Sequence, residues 1–338
     1  MQNIFNGGTR PDEIWIDSEQ KESIANRYLL NPTNIVKLIW TNDITNCNNM
    51  FKGCNSIIEI NFTNFNATKC TSTAEMFRNC QSLISLDFSG FITSKLLKSM
   101  ANMFWDCKSL ISLNFSNFVT SEVDNFGHML CNCESLKWVD VSNLNTEKVT
   151  LLDNMFKGCK NLTSVNLSNF NTSKMIKMQN MFDGCESLKA LDFPNLDLTS
   201  VTSEEFLKDI FLNCKKLEYI NIKNIKSNNN LIQKYFDGTQ NSLNVYIYID
   251  NTKAQLIKDA IDYSNCNLIS CYAYSENYLY KANVENNCFI HNCSITNFKY
   301  EHNYICYSNC FSGTYNNNYM CEDCQIVIQI VKNVKGHI

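Results

Sequence analysis

The sequence lacks several features that would assign it to a common functional class. No apolar run approaches the roughly 20 residues needed to span a bilayer. The first residues, Met1–Phe5, have neither the basic start nor the apolar core of a secretory signal peptide. The 29 Lys and Arg residues are scattered and the formal net charge is −4, so a nucleic-acid partner is not expected.

Residues typical of catalytic or cofactor sites are also scarce. The four histidines, His128, His291, His302 and His337, show no metal-ligand spacing, and no glycine-rich phosphate loop is present. His128 lies three residues before Cys131, but the equivalent positions of the repeats described below lack both side chains. This pair therefore indicates local drift of a repeat rather than a catalytic dyad. We expect a protein that is not an enzyme and that has no cofactor.

What the sequence has in abundance is a repeated motif, Met-Phe-x-x-Cys, followed by spaced apolar residues. Seven frame cysteines recur at steps of 26, 27, 26, 26, 26 and 29 residues: Cys54, Cys80, Cys107, Cys133, Cys159, Cys185 and Cys214. A fixed period in this range indicates a solenoid, in which each unit buries its apolar face against its neighbours.

Each repeat is predicted to contain a short helix and a short strand. Met175, Met178, Met181 and Phe182 recur at helical offsets, whereas the apolar residues after each frame cysteine alternate as in a strand. We therefore predict an α/β fold, a right-handed solenoid of about 7–8 rungs of roughly 26 residues, with one helix and one parallel strand per rung.

A column of asparagines follows the predicted strands. Its members are Asn64, Asn117, Asn143, Asn169, Asn195 and Asn224, with Gly90 as the exception. We expect each of these side chains to turn the chain out of its strand and to bond the backbone of its own and adjacent rungs.

The motif Met-Phe-x-x-Cys-x-Ser-Leu-x-x-Leu-Asp-Phe-Ser-Asn-Phe resembles the BspA-like leucine-rich repeat family of microbial and protist surface proteins. The resemblance covers residues 34–270 and implies a leucine-rich repeat domain, with residues 1–33 as an N-terminal cap. Residues 244–260 resemble the strand and helix that close such arrays. The family implies adhesion or host interaction, with no catalytic residue in the repeat.

The frame cysteines form either a buried thiol column or a ladder of disulfides. Equivalent side chains on stacked rungs lie about 4.8 Å apart, but their parallel Cα–Cβ directions do not suit a bridge. Buried free thiols are therefore favoured. We expect the cysteines outside the frame, Cys47, Cys70 and Cys131, to be free as well.

Residues 271–338 are predicted to form a cysteine-rich module. The last eight cysteines are Cys266, Cys271, Cys288, Cys293, Cys306, Cys310, Cys321 and Cys324. An even count in a short, loop-rich segment predicts disulfides; the alternative is a zinc ion held by Cys306, Cys310, Cys321 and Cys324. Residues 306–315 resemble furin-like modules, and that resemblance implies the pairs Cys306–Cys321 and Cys310–Cys324.

The outward strand positions are the predicted partner-binding surface. Its candidate residues are Trp138, Tyr219, Glu59, Asp87, Asn114, Asp140, Asn166, Asp192 and Asn221. Exposed aromatic residues on a polar sheet are typical partner anchors, so Trp138 and Tyr219 are the candidate anchors. The alternative is that the two rings pack on neighbouring side chains across the sheet.

These observations predict a non-enzymatic recognition or adhesion protein, on the cell surface or secreted, that binds a protein or a glycan. Membrane attachment would then use a segment outside this chain. The alternative is a cytoplasmic repeat scaffold whose cysteines are reduced and whose C-terminal region holds zinc.

Overall fold

A computed structural model describes residues 2–21, 27–28, 34–63, 65–217, 219–222 and 224–227, and then short strands between residues 245 and 323. The chain divides into two compact units, Met1–Leu268 and Ile269–Ile338. The three predicted domains, 1–33, 34–270 and 271–338, stay a prediction.

The N-terminal segment forms two small antiparallel sheets. Its strands are β1 (Gln2–Asn3), β2 (Glu13–Ile16), β3 (Glu19–Lys21), β4 (Arg27–Tyr28) and β5 (Val36–Ile39). β1 pairs with β4, and β2 lies between β3 and β5. Backbone N–H groups of Asn6 and Thr9 donate to the carbonyls of Met50 and Asn46 at 2.7 and 2.6 Å. The segment is thereby joined to the first repeat unit.

Short parallel strands follow, one in each repeat unit. They are β6 (Glu59–Asn61), β7 (Ser85–Asp87), β8 (Ser112–Asn114), β9 (Trp138–Asp140), β10 (Ser164–Asn166), β11 (Ala190–Asp192), β12 (Tyr219–Asn221) and β13 (Val245–Tyr248). β6 pairs with β7 and β8 with β9, and β10 to β13 pair in sequence order. A last strand, β14 (Cys266–Ile269), follows β13 in the same sheet. The molecule therefore has a β-rich repeat fold.

The helix predicted for each repeat is wrong. Among the described residues the helical structure is a single 3-10 turn, Glu204–Leu207, and the Met-Phe-x-x-Cys segments are consecutive turns. In each of them the residues five and one before the frame cysteine have positive φ. The first column is Asn49, Glu75, Asn102, His128, Asn154, Asn180 and Asp209, and the second is Gly53, Asn79, Asp106, Asn132, Gly158, Gly184 and Asn213. A right-handed helix cannot pass through two left-handed residues.

The backbone of these turns is satisfied largely between repeats. The N–H groups of Asn154, Phe156 and Gly158 each donate to a carbonyl of the next unit, at 3.0, 2.9 and 2.7 Å. The intervening N–H groups of Met155 and Lys157 instead close turns within their own unit. Since buried backbone groups must be paired, this alternation replaces the hydrogen bonds that a helix would have supplied.

The apolar positions predicted from the sequence do form the core. Met175, Met178, Met181 and Phe182, assigned to one helical face, are all buried. Phenylalanines of successive units also stack on one another, at centroid distances of 5.1 to 5.9 Å. These stacked pairs are Phe51–Phe77, Phe77–Phe104, Phe156–Phe182 and Phe182–Phe211. The repeat period therefore aligns large side chains as well as strands.

The second unit contains six described strands. They are β15 (Tyr280–Asn283), β16 (Cys288–Ile290), β17 (Tyr300–His302), β18 (Ile305–Tyr307), β19 (Thr314–Asn317) and β20 (Met320–Asp323). β15 and β16 form an antiparallel pair, and the other four form a sheet in the order β18-β17-β20-β19.

Candidate partner-binding surface

The strand face is the surface formed by the first and third residues of β6 to β12. Parallel pairing brings these positions into register: Ser112 lies opposite Trp138, and Asn114 opposite Asp140. The predicted columns are therefore confirmed as neighbours within each pair of strands. Glu59, Asn114 and Asn166 are exposed, and Asp87, Trp138, Asp140 and Asp192 are partly exposed.

Two of the predicted residues do not join this exposed set. Asn221 is buried, and its side-chain amide donates to Asp192 Oδ1 at 3.0 Å, so placing it on an exposed surface was wrong. Tyr219 lies on β12 in register with Ala190, but its side chain lies outside the part of the chain that the structure describes. Of the two candidate anchors, Trp138 is the one whose side chain the structure describes, and it is partly exposed.

The third residue of each strand from β6 to β10 is held by a hydrogen bond to the turn that follows. Its Oδ1 accepts the backbone N–H of the residue two positions later, at 2.7 to 2.9 Å, which is the geometry of an Asx turn. The residues are Asn61, Asp87, Asn114, Asp140 and Asn166. The sequence analysis missed this role, and the recurring Asn/Asp-x-Ser/Thr pattern was the signal for it.

Three members of the asparagine column bond the backbone of the adjacent repeat unit, as predicted. Nδ2 of Asn117, Asn169 and Asn195 donates to the carbonyl of Ser89, Ser142 and Ser168 of the preceding unit, at 2.9, 3.1 and 3.2 Å. Asn64 is outside the described residues.

Gly90 is the exception in this column because the chain is too close for a side chain. A Cβ atom there would lie 1.9 Å from the carbonyl oxygen of Thr63.

In the structure the frame cysteines are buried and carry no disulfide. Six of them donate S–H to the carbonyl of the residue that follows the frame Met in the preceding unit, at 2.9 to 3.3 Å. The pairs are Cys80–Phe51, Cys107–Phe77, Cys133–Phe104, Cys159–Leu130, Cys185–Phe156 and Cys214–Phe182. Burial raises the pKa of these thiols, to about 12 for Cys80 and Cys214, so they remain protonated.

The repeat region matches a known family model in two tandem copies. The model, described as "Mycoplasma protein of unknown function, DUF285", matches residues 25–138 and 128–246. The chain belongs to the DUF285 family. No curated protein matches the sequence.

The DUF285 match corrects the resemblance drawn from the sequence. The assignment to the BspA-like leucine-rich repeat family is wrong, because the matching model describes DUF285 and the repeats contain turns where leucine-rich rungs would need helices. The resemblance of residues 306–315 to furin-like modules was part of the same family assignment. The matching family model does not describe such a module, and its match ends at residue 246.

A buried threonine column also runs through the DUF285 repeats, and the sequence analysis did not identify it. Each hydroxyl accepts a backbone N–H of the next unit at 2.7 Å. The column is Thr93, Thr120, Thr146 and Thr172. Its steps of 26 and 27 residues, equal to those of the frame cysteines, were the signal in the sequence.

A cluster of charged and aromatic side chains occupies the turn segments of four successive DUF285 repeats. The guanidinium carbon of Arg78 lies 4.2 Å from the Trp105 ring centroid, and the Trp105 ring stacks on His128 at 5.0 Å. His128 Nδ1 lies 3.7 Å from Asp153 Oδ2. Burial lowers the pKa of His128, and it raises the pKa of the Cys131 thiol to about 12. A thiol in that state is not an activated nucleophile.

The structure leaves the C-terminal cysteine chemistry open. Backbone positions of Cys266, Cys288, Cys306 and Cys321 lie on described strands, whereas their side chains and Cys271, Cys293, Cys310 and Cys324 lie outside the described residues. The two predicted pairs and the zinc alternative therefore stay predictions. Within the described part of the chain, no group of His, Cys, Asp and Glu side chains could hold a metal ion. No described helix has the length and apolarity to cross a membrane.

The predicted closing elements of the repeat array are described in part. β13 pairs in parallel with β12, as expected of a closing strand. The predicted helix after it, residues 253–260, is outside the described residues.

Proposed function

We propose that this DUF285 chain is a non-enzymatic recognition protein that binds a protein or glycan partner through the strand face. The observation that carries the proposal is the partly exposed Trp138 ring within a regular row of polar side chains. Asx turns hold that row in place through Asn114, Asp140 and Asn166.

The row suits recognition because its geometry exists before a partner arrives. Parallel strands repeat the same polar groups about every 4.8 Å, and side chains already fixed by hydrogen bonds lose little entropy on binding. Indole rings are frequent binding hot spots, because they bury a large apolar surface beside a polar rim. Trp138 supplies such a ring, and Asn114 and Asp140 lie beside it.

The proposal is tested with two tryptophan variants of the full chain. Trp138→Ala removes the anchor from the strand face, whereas Trp105→Ala removes an equally large ring from the turn segments, where it packs on Arg78 and His128. Each variant is applied to a printed glycan library and to a panel of extracellular proteins. We expect Trp138→Ala to weaken binding at least roughly tenfold and Trp105→Ala to leave it unchanged.

Retained binding by Trp138→Ala would overturn the choice of face. If the wild-type chain binds neither a glycan of the library nor a protein of the panel, the recognition role itself is overturned. Far-UV circular dichroism of both variants verifies that a loss of binding does not come from unfolding.

We propose a location on the cell surface or outside the cell. The second candidate, a cytoplasmic scaffold, is favoured by one observation: ten described cysteines are free and buried. Protease treatment of intact cells that express the chain separates the two, because an external protein is cleaved and an internal one is protected.

A further inference from the structure

Two cysteines outside the repeat frame face each other. The Sγ atoms of Cys47 and Cys70 lie 2.8 Å apart, and both residues are completely buried. A covalent bond between them requires the sulfurs to approach by only about 0.8 Å.

Backbone hydrogen bonds hold the two segments side by side. The N–H of Thr71 donates to the carbonyl of Thr45, and the N–H of Cys47 donates to the carbonyl of Ser72, both at 3.1 Å. These bonds flank the sulfur pair, so its proximity follows from the stacking of the first two repeat units.

The frame cysteines have a different arrangement. Their thiols point at a backbone carbonyl of the preceding unit, as Cys80 does toward Phe51 at 2.9 Å. Because they occupy equivalent positions, their Cα–Cβ bonds run parallel and do not suit a bridge. Cys47 and Cys70 occupy different positions in their units, and this offset lets their sulfurs converge.

We propose that Cys47 and Cys70 are a disulfide modification site, oxidised by a small-molecule disulfide such as oxidised glutathione. The thiolate of Cys70 attacks one sulfur of that disulfide, forms a mixed disulfide and releases one glutathione thiolate. The thiolate of Cys47 then attacks Cys70 Sγ, forms the protein disulfide and releases the second glutathione thiolate. The two protons lost by the protein are taken up by the two released thiolates, and the two sulfurs of oxidised glutathione are reduced.

In the stacked state the two thiols have unequal pKa values. The hydrogen bond between them lowers the pKa of the Cys70 thiol, whereas this bond and burial raise the pKa of Cys47. Cys70 is thus the thiol that loses its proton more readily in that state. Both sulfurs are inaccessible in the stacked state, so the reagent reaches them while the first two units fold or open.

The bond would join the first repeat unit to the second. Terminal units of a repeat array are the most prone to fraying, because they have a neighbour on one side only. In the described part of the chain, the outer side of the first unit is covered by the N-terminal segment, through residues such as Asn6 and Thr9. A covalent link at this end would oppose fraying.

The test is a peptide map of the full chain refolded with an excess of oxidised over reduced glutathione. The folded fraction is isolated by size-exclusion chromatography, quenched in acid, alkylated under denaturing conditions and digested with trypsin. Cleavage after Lys37, Lys52, Lys69 and Arg78 places Cys47, Cys54 and Cys70 in three separate peptides. We expect the peptides 38–52 and 70–78 to be linked in most molecules, with a mass lower by two hydrogen atoms.

The adjacent frame cysteines, Cys54 and Cys80, are the internal control and should carry the alkyl label. Cys47→Ser should leave Cys70 alkylated, and Cys70→Ser should leave Cys47 alkylated. The midpoint of chemical unfolding should rise on oxidation more in the wild type than in either variant. The proposal is overturned if Cys47 and Cys70 are alkylated in the folded wild type, or if either is joined to another cysteine instead.

Discussion

Replacement of Asn180 distinguishes the turns of the structure from the helix that the sequence pattern predicts. Asn180 lies within the segment 175–182, and its φ of 53° is in the left-handed region. Its N–H donates to the carbonyl of Lys208 in the next unit at 2.9 Å, and its carbonyl accepts the N–H of Asp183 at 3.1 Å. The stability order of the alanine and glycine variants at this position is therefore opposite in a left-handed turn and in a helix.

The expected magnitudes follow from the backbone conformation. A non-glycine residue in the left-handed region costs roughly 1–2 kcal/mol, which Asn partly avoids and glycine does not incur. Asn180→Ala should therefore destabilise the fold by about 1 kcal/mol. Asn180→Gly should be nearly neutral, because relief of strain offsets its greater freedom in the unfolded chain. In a helix the order is reversed, since alanine is about 1 kcal/mol more favourable than glycine.

The assay is equilibrium unfolding in urea, followed by far-UV circular dichroism, for the wild type and both variants under identical redox conditions. The stability order glycine above alanine is expected. The order alanine above glycine would refute the turn conformation and restore the helical interpretation. Asn154, which has the same conformation one unit earlier at φ 57°, provides an independent repetition of the experiment.

Three further predictions follow from buried and partly buried groups. Thr146→Val should lower the free energy of unfolding in urea by about 1–3 kcal/mol, because it leaves a backbone N–H of the next unit without its acceptor. Thr150→Val removes a solvent-exposed bond and should lower it less. Equal losses in the two variants would contradict this. Burial lowers the pKa of His128 in the folded protein, so as pH falls the His128 imidazole is protonated in the unfolded chain before it is protonated in the folded one. Stability should therefore fall as pH drops through about 6.5. His128→Asn should flatten that fall between about pH 7.5 and 5, and an unchanged pH profile would refute it. Iodoacetamide at about pH 8 should not label Cys131 in the folded protein, since its thiol pKa is raised to about 12; labelling as fast as after denaturation would contradict this.

The sequence was sufficient to predict the period, the core and the strands. Frame cysteines such as Cys133 and Cys159 recur at a fixed spacing, and residues that share a position share an environment in a stack. The absence of bridges between them was inferred from one geometric argument about parallel Cα–Cβ bonds.

The helix prediction failed because apolar spacing does not report backbone conformation. Met175, Met178 and Met181 lie three residues apart, and a series of turns that each reverse within three residues buries the same positions as a helix. The contrary signal was the polar residue preceding each Met-Phe pair. Asn and Asp adopt positive φ more readily than other non-glycine residues, so Asn154 and Asn180 marked two of these positions.

The candidate surface was predicted in register but not in detail. The pairing of Ser112 with Trp138 follows from the period alone. Whether a side chain in the column is exposed depends on its neighbours, and the hydrogen bond that Asn221 donates to Asp192 could not be inferred from periodicity. The Cys47–Cys70 pair was missed for a related reason, because two residues outside the frame have no shared position from which to infer a contact.

We expect function in such a repeat to depend most on the positions where the units differ. Residues in the columns common to the units already have a role in folding. Asx turns, threonine hydroxyls and cysteine thiols each form hydrogen bonds with the backbone of their own or a neighbouring unit. Several side chains of the described residues depart from these columns. Trp138 replaces the small or polar residue found in the preceding strands, His128 replaces the Asn of the left-handed column, and Cys47 and Cys70 lie outside the frame. If recognition depended on the shared polar columns, exchange of one whole repeat unit for another would preserve it. If it depends on Trp138, exchange of residues 134–159 for residues 160–185, in which Ser164 takes the place of Trp138, should abolish binding while the stack remains folded.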